Sequence, residues 1–350
     1  MRIGSLFSGA GGLDLAVEAV FGGYTVWQCE NDPAAAKVLR SHWTDVPNLG
    51  DITAVDWAAV EPVDVLCGGF PCQDVSTAAS HRRQGLRDGN RSGLWSHMAA
   101  AIDVLRPPFV VIENVKGLLS ATAHRAMEPD DTDLGTLRAA GAVLGDLASL
   151  GFNAEWTVVP ASAVGAPHKR ERIFILAAAA DTDNAGRSQQ RWSCPTPPQH
   201  PATERGRGQS PRARLLPTPS ASDGIGGGPN NPENRLAQGH QVQLIDLGLS
   251  DTAWDQYLPA IRHWENLTRP APTPIEPYKR RLNAAFVEWM MGWPDGWVTK
   301  VPGEQLDLFG GTAWALTRVE QLTRCGNGVV PQQAEHALRR LLSATCEVAA

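Results

Sequence analysis

From residue 2 to residue 178, short apolar runs alternate with longer stretches whose apolar residues recur at helical spacing, and near Ala180 the alternation stops. This pattern restricts the chain to a mainly parallel sheet with crossover helices, since strand, helix and next strand close most readily as a βαβ unit. Strands are predicted at residues 2–7, 25–29, 63–66, 109–112, 155–160 and 172–178, and helices from near Leu13, over 94–105 and over 134–150. The expected class is α/β, with an open, doubly wound sheet. From Ala180 to about Tyr278 the composition shifts to Pro, Gly, Ser, Gln and Arg with few apolar clusters, which predicts a small irregular lobe. Regularity returns with a helix over 281–291, ended by Gly292-Trp293-Pro294, and with a C-terminal helix over 331–343. Residues 1–180 are thus expected to begin one α/β domain, 181–278 to form an inserted lobe, and 279–350 to complete the domain.

The chain has 350 residues, enough for one large lobe and a smaller one. No apolar run approaches the roughly 20 residues of a membrane span, and the first residues run straight into a strand rather than a leader. A cytoplasmic or nucleoid location and a monomer are expected. The six cysteines, Cys29, Cys67, Cys72, Cys194, Cys325 and Cys346, are too scattered for a disulfide framework or a CxxC metal site, so no metal is expected. A net charge of −6 and a pI of 5.9 exclude a generic nucleic-acid coat. DNA binding would need a local basic surface, and Arg187, Arg191, Arg205, Arg207, Arg212 and Arg214 offer one against the single acid Glu204.

The first strand runs into Ser8-Gly9-Ala10-Gly11-Gly12, a glycine turn placed where a doubly wound fold brings a helix N-terminus to its ligand. Glu30, about 20 residues on, suits the hydroxyls of an adenosine ribose. Asp51, after Gly50, is placed to meet the adenine amine from the next loop. In order on successive strand ends, Ser8, Gly9, Gly11, Gly12, Glu30 and Asp51 read as a nucleoside site.

The third strand leads into Gly68-Gly69-Phe70-Pro71-Cys72-Gln73, whose glycines and proline describe a shaped, exposed loop at the carboxyl edge of the sheet. A buried apolar role is the commoner fate of a lone cysteine, yet Cys72 in such a loop is a candidate thiolate nucleophile. The fourth strand ends in Glu113-Asn114-Val115. A carboxyl there has its pKa raised by desolvation and can share or donate a proton. Thiolate plus acid is the pair that activates a pyrimidine: attack at C6 needs a proton or strong hydrogen bond on N3, and C5 then becomes nucleophilic.

Phe7-Ser8-Gly9-Ala10-Gly11-Gly12-Leu13-Asp14, Gly50-Asp51-Ile52, Gly69-Phe70-Pro71-Cys72-Gln73, Glu113-Asn114-Val115, Arg170-Glu171-Arg172 and Gly326-Asn327-Gly328-Val329 follow one another in the order of the DNA cytosine-5 methyltransferase motifs. The chain resembles that family over most of its length outside the insert. The resemblance implies a Rossmann-like domain that uses S-adenosylmethionine and acts on double-stranded DNA, with the insert as target-recognition lobe. It also implies that Cys72 attacks C6, that Glu113 holds N3 and the amino group, and that Arg170 and Arg172 secure the base and the catalytic loop. Phe7, Glu30, Asp51, Ile52 and Leu94 would contact the cofactor, and Asn327 would close the site. The cytosine would be flipped from the duplex, because a thiolate cannot reach C6 inside the stack.

Where many relatives have glutamine two residues before the first arginine of the Arg-x-Arg pair, this chain has His168. It is read as a tolerated polar substitution rather than a general base for the C5 proton. One rival is an RNA methyltransferase of the same superfamily, but its Cys-Phe-Thr tripeptide is absent. Another is a catalytically retired DNA-binding regulator on the same scaffold, against which Cys72 and Glu113 both count.

Overall fold

The computed structural model describes residues 1–71, 93–121, 138–180, 213–225, 230–249, 251–276, 281–306 and 312–348. The α/β alternation runs β1 (Arg2–Leu6), α1 (Gly12–Phe21), β2 (Tyr24–Cys29), α2 (Pro33–His42), β3 (Val65–Gly68), α3 (Leu94–Leu105), β4 (Phe109–Val115), α4 (Ala139–Ser149), β5 (Phe152–Pro160) and β6 (Glu171–Ala179). These strands form one sheet in the order β2-β1-β3-β4-β6-β5. The pairs joining β1 to β4 are parallel, whereas β6 is antiparallel to both its neighbours. That departure from the parallel pattern has a length cause. Only residues 161–170 separate β5 from β6, and a parallel return needs a crossover of about a dozen residues or more.

Both faces of the sheet are covered at its centre, so Val65–Cys67 of β3 and Val110–Ile112 of β4 are apolar and buried at every position rather than at alternate ones. Ile3, Val65, Cys67, Val111, Phe174 and Leu176 face one core with Leu13, Val17 and Val20 of α1. Leu6, Leu66, Val110, Ile112, Ile173 and Ile175 face the other, with Met98 and Ile102 of α3 and Val143 and Leu147 of α4. The first face is finished by Ala334, Ala337, Leu338 and Leu341. These lie on the last helix, α10 (Pro331–Val348), so the C-terminal segment supplies a layer of the same α/β unit.

The remaining described elements are α5 (Ser222–Ile225), α6 (Pro232–Ala237), α7 (Leu258–Leu267), α8 (Ala284–Met290), the hairpin β7 (Pro302–Leu306) and β8 (Thr312–Trp314), and α9 (Arg318–Asn327). Here the structure is richer than the composition predicts. Leu216, Leu244, Trp254, Tyr257, Ile261 and Trp264 are buried in a third core with Phe286, Trp289, Met290 and Trp293. The insert does not build this core alone; α8 and the turn after it supply the other half. Among the described residues no helix is long and apolar enough to cross a membrane.

Candidate functional site

The carboxyl ends of β1, β2, β3 and β4 lie along one edge of the sheet, and Phe7, Glu30 and Glu113 of the sequence-predicted residues sit on them. Phe7 ends β1 with φ of 52°, a left-handed conformation rare for a side chain of this size, and its N–H donates to the Cys29 carbonyl at 2.8 Å. The glycines that follow divide into two kinds. A Cβ on Gly11 would lie 2.5 Å from Trp43, and one on Gly12 would lie 2.3 Å from the Val329 carbonyl, so protein packing requires those two glycines. Gly9 (φ 57°) is different, because a Cβ there would meet nothing nearer than the Phe7 carbonyl at 4.0 Å. Its open face is where a ligand can come against the backbone.

Glu30 joins this turn to the start of α2. One carboxylate oxygen accepts from the Gly9 N–H (2.9 Å) and the other from the Asp32 N–H (2.7 Å). Burial pushes its pKa up against those bonds. Each carboxylate oxygen has a second acceptor direction, which leaves Glu30 able to take a ligand hydroxyl as well. Asp51 is exposed and accepts from the N–H and hydroxyl of Thr53, the former holding its pKa low. Ile52 beside it is 5% exposed. Leu94 opens α3, half-buried at the edge of the core under β3 and β4. Ser8 is turned inward, its hydroxyl donating to Ser5 Oγ at 2.8 Å.

At the end of β4, Glu113 is 8% exposed and its Oε1 lies 3.0 Å from Arg172 Nε. Burial raises the pKa of its carboxyl, opposed by Arg172 and then Arg170. The antiparallel pairing of β4 with β6 makes this contact, since Val115 faces Arg172 and Asn114 faces Ile173 in the register. The loop after β3 lies across the acid. A Cβ on Gly69 would fall 3.0 Å from Glu113 Oε2, so the glycine makes room for the carboxyl, and Asn114 Nδ2 donates to the Phe70 carbonyl at 3.1 Å. Cys72 itself lies outside the described residues, which stop at Pro71 on this loop.

Arg170 is used differently from Arg172. It is 3% exposed with φ of 30°, and its guanidinium donates to the carbonyls of Pro219 (2.9 Å), Gly326 (2.9 Å) and Gly328 (2.6 Å). It therefore ties Pro219 of the insert to the Gly326-Asn327-Gly328 turn at the end of α9. Its own carbonyl accepts from Gln333 on α10 at 2.7 Å. Asn327 is exposed on that turn. His168 is fully buried, its ring nitrogen 3.1 Å from the Met290 carbonyl, and burial pushes its pKa down to about 3. The imidazole is thus neutral and held against the end of α8. Of the six predicted arginines of the insert, only Arg214 lies among the described residues; it bonds Gln256 and lies over the Tyr257 ring.

Sequence reasoning missed Gln333, Pro219 and Trp297, whose indole N–H donates to the Ala10 carbonyl at 2.7 Å. For Trp297 a signal existed: a tryptophan in Gly292-Trp293-Pro294-Asp295-Gly296-Trp297 is costly to expose. Its partner, 287 residues away, had no local mark.

Comparison with known proteins fits this layout. The family model described as C-5 cytosine-specific DNA methylase matches residues 1–343. Type II methyltransferase M.MspI of Moraxella sp is 32% identical over 172 residues, which is 49% of this chain and 37% of that protein. Type II methyltransferase M.NgoFVII of Neisseria gonorrhoeae is 32% identical over 183 residues, 52% of this chain and 44% of that protein. The aligned region thus spans less than half the length of these relatives. Among solved structures, the S. pombe Dnmt2 methyltransferase shares the fold with a TM-score of 0.54 at 14% identity, over 99% of each chain. A putative DNA modification methyltransferase encoded within an E. coli prophage does so at 0.51 and 17%, also over 99% of each.

Proposed function

This chain belongs to the C-5 cytosine-specific DNA methylase family, and we propose that it transfers a methyl group from S-adenosylmethionine to C5 of a cytosine flipped out of duplex DNA. The observation that carries the reading is Glu113: a buried carboxyl with a raised pKa, paired with Arg172, beneath the loop that leads to Cys72. The strand ends suit the methyl donor. Gly9 offers open backbone, Glu30 a hydrogen-bond acceptor beside it, and Asp51 an exposed carboxylate on the segment that runs next to the end of β2. Phe7, Ser8, Gly11, Gly12, Ile52, Leu94 and Asn327 would complete that site. When bound, S-adenosylmethionine supplies an electrophilic methyl group.

The Cys72 thiolate adds to C6 while Glu113 protonates or hydrogen-bonds N3, so that the electrons displaced by sulfur reach C5 rather than building up unpaired charge on the ring. Arg172 holds the Glu113 carboxyl in place, and Arg170 fixes the turn that carries Asn327. After C5 is methylated, loss of its proton expels the thiol and restores the ring. The lobe at 181–278 would read the target site, since base-edge contacts need a shaped surface beside the flipped base whereas phosphate contacts can come from either lobe. Bisulfite sequencing of DNA from cells expressing the protein tests this directly. The expected result is protection of cytosines within one short sequence; conversion equal to that of cells lacking the protein would overturn the proposal.

A further inference from the structure

We propose that Trp297 is a positioning residue for the cofactor turn, its indole N–H fixing the peptide between Ala10 and Gly11 in the orientation that receives S-adenosylmethionine. The inference rests on the function proposed above. Its starting point is that the turn itself fixes only one end of this peptide, the Gly11 N–H, which donates to the Ser8 carbonyl at 2.9 Å. Gly9 and Gly11 flank Ala10 with φ of 57° and 79°, and Gly11 precedes α1 as an N-cap with no side chain to cap it. With glycine at 11, rotation of the carbonyl end about that single hydrogen bond stays cheap. The bond from Trp297 Nε1 to the Ala10 carbonyl, 2.7 Å long and buried, stops that rotation.

The donor is itself held from several sides. The Trp297 ring stacks on His42 with centroids 3.5 Å apart and planes 2° from parallel, and Trp43 meets its edge at 5.6 Å. The Trp297 carbonyl bonds His42 Nε2 at 2.8 Å. The turn around it is pinned by the buried Glu288, whose carboxylate accepts from the N–H groups of Gly296, Val298 and Thr299 at 2.8, 2.8 and 2.9 Å. Arg269, from the insert, lies 3.6 Å from Glu288 and 3.7 Å from Asp295. The same C-terminal stretch reaches the next glycine, because the Val329 carbonyl that fills the space over Gly12 is held by Trp293 Nε1 at 3.0 Å. One rigid segment therefore grips the turn at Ala10 and at Gly12 while leaving Gly9 open.

The test is calorimetric binding of S-adenosylmethionine to the full chain, combined with turnover at saturating cofactor. Trp297→Phe keeps an aromatic ring on His42 but has no donor for Ala10. Loss of one hydrogen bond corresponds to roughly a 3- to 10-fold weaker Kd, with turnover at saturation within about twofold. Trp264→Phe is the control. It removes an indole bond of the same kind, to the Trp289 carbonyl at 3.0 Å, inside the same core but away from the glycine turn, and should cost similar stability without moving the Kd. If Trp297→Phe does not fold, benzothienylalanine at position 297, which keeps the bicyclic ring with sulfur in place of the N–H, gives the same reading. Unchanged affinity in the folded Trp297 variant, or an equal loss in Trp264→Phe, would overturn the inference. Absence of S-adenosylmethionine binding by the wild type would instead overturn the proposed function, and this inference with it.

Discussion

Glu113 at the end of β4 and Glu288 on α8 are both buried, and burial pushes the pKa of both up. They are used in opposite ways. Glu288 accepts from three backbone N–H groups of one turn and faces Arg269 at 3.6 Å. Glu113 pairs with Arg172 through one oxygen, while the other lies against Gly69, where there is no side chain. The first carboxyl is closed on all sides by protein that it organises. The second keeps a face toward a loop. Burial and a raised pKa are common to both, so it is the unused direction, and not the perturbation, that distinguishes an acid available to a substrate from one that holds the fold together.

Paired isosteric variants break this comparison if it is wrong. Glu113→Gln is expected to lower methyl transfer by about 10²- to 10⁴-fold, with the affinity for S-adenosylmethionine much less affected. Glu288→Gln should show itself in stability, because one acceptor becomes a donor facing backbone N–H groups; the loss should be about 2–4 kcal/mol in denaturant unfolding. The reverse pattern, with activity lost at Glu288 and stability at Glu113, would contradict the assignment.

A third buried carboxyl sharpens the contrast through pH. Asp14, in the first turn of α1, accepts from Gln28 and is pushed from 3.8 to about 6 by burial. The folded state therefore holds this proton longer than the unfolded chain. Its contribution to stability is complete below about pH 4, falls as pH rises through about 6, and is then constant. Two pKa units correspond to about 3 kcal/mol. Asp14→Asn should lack that fall, so its stability relative to wild type should rise between pH 4 and 7; a constant difference across that window would show that Asp14 does not titrate there. The smallest effect is expected at His168. His168→Gln keeps a donor for the Met290 carbonyl, and methyl transfer between pH 6 and 8 should stay within a few-fold of wild type, because a histidine pushed to about 3 is already neutral throughout that range.

How much of this was legible in the sequence follows the range of the interactions. Strand and helix patterns in the first 180 residues are local, and they predicted the sheet to within a few residues of each boundary. The start of α2 was equally legible but was passed over, since Asp32 before Pro33 is a cap followed by a proline in the first helical turn. The direction of β6 was not read from apolar pattern, which is the same for parallel and antiparallel strands; the ten-residue connection carried the information. Glu30 and Glu113 were visible because each stands at the end of a strand, whereas Asp51, expected at a strand end, instead caps the short turn Ile52–Ala54 between α2 and β3. The division of labour between Arg170 and Arg172 was not. Arg172 faces Glu113 through strand register, whereas Arg170 turns to carbonyls at 219, 326 and 328, which no pattern near residue 170 announces. The core shared by Trp254, Tyr257 and Trp264 with α8 escaped for the same reason.

The central claim, a thiolate at Cys72 acting with Glu113 on a cytosine ring, is tested most directly by covalent trapping. Duplex DNA carrying 5-fluorocytosine at the site found by bisulfite sequencing is incubated with the protein and S-adenosylmethionine, then denatured and resolved by mass. Fluorine cannot leave C5 as a proton does, so expulsion of the thiol stalls and the account predicts a denaturation-resistant protein–DNA adduct that disappears in Cys72→Ala. An adduct that persists in Cys72→Ala, or methylation by that variant, would contradict it.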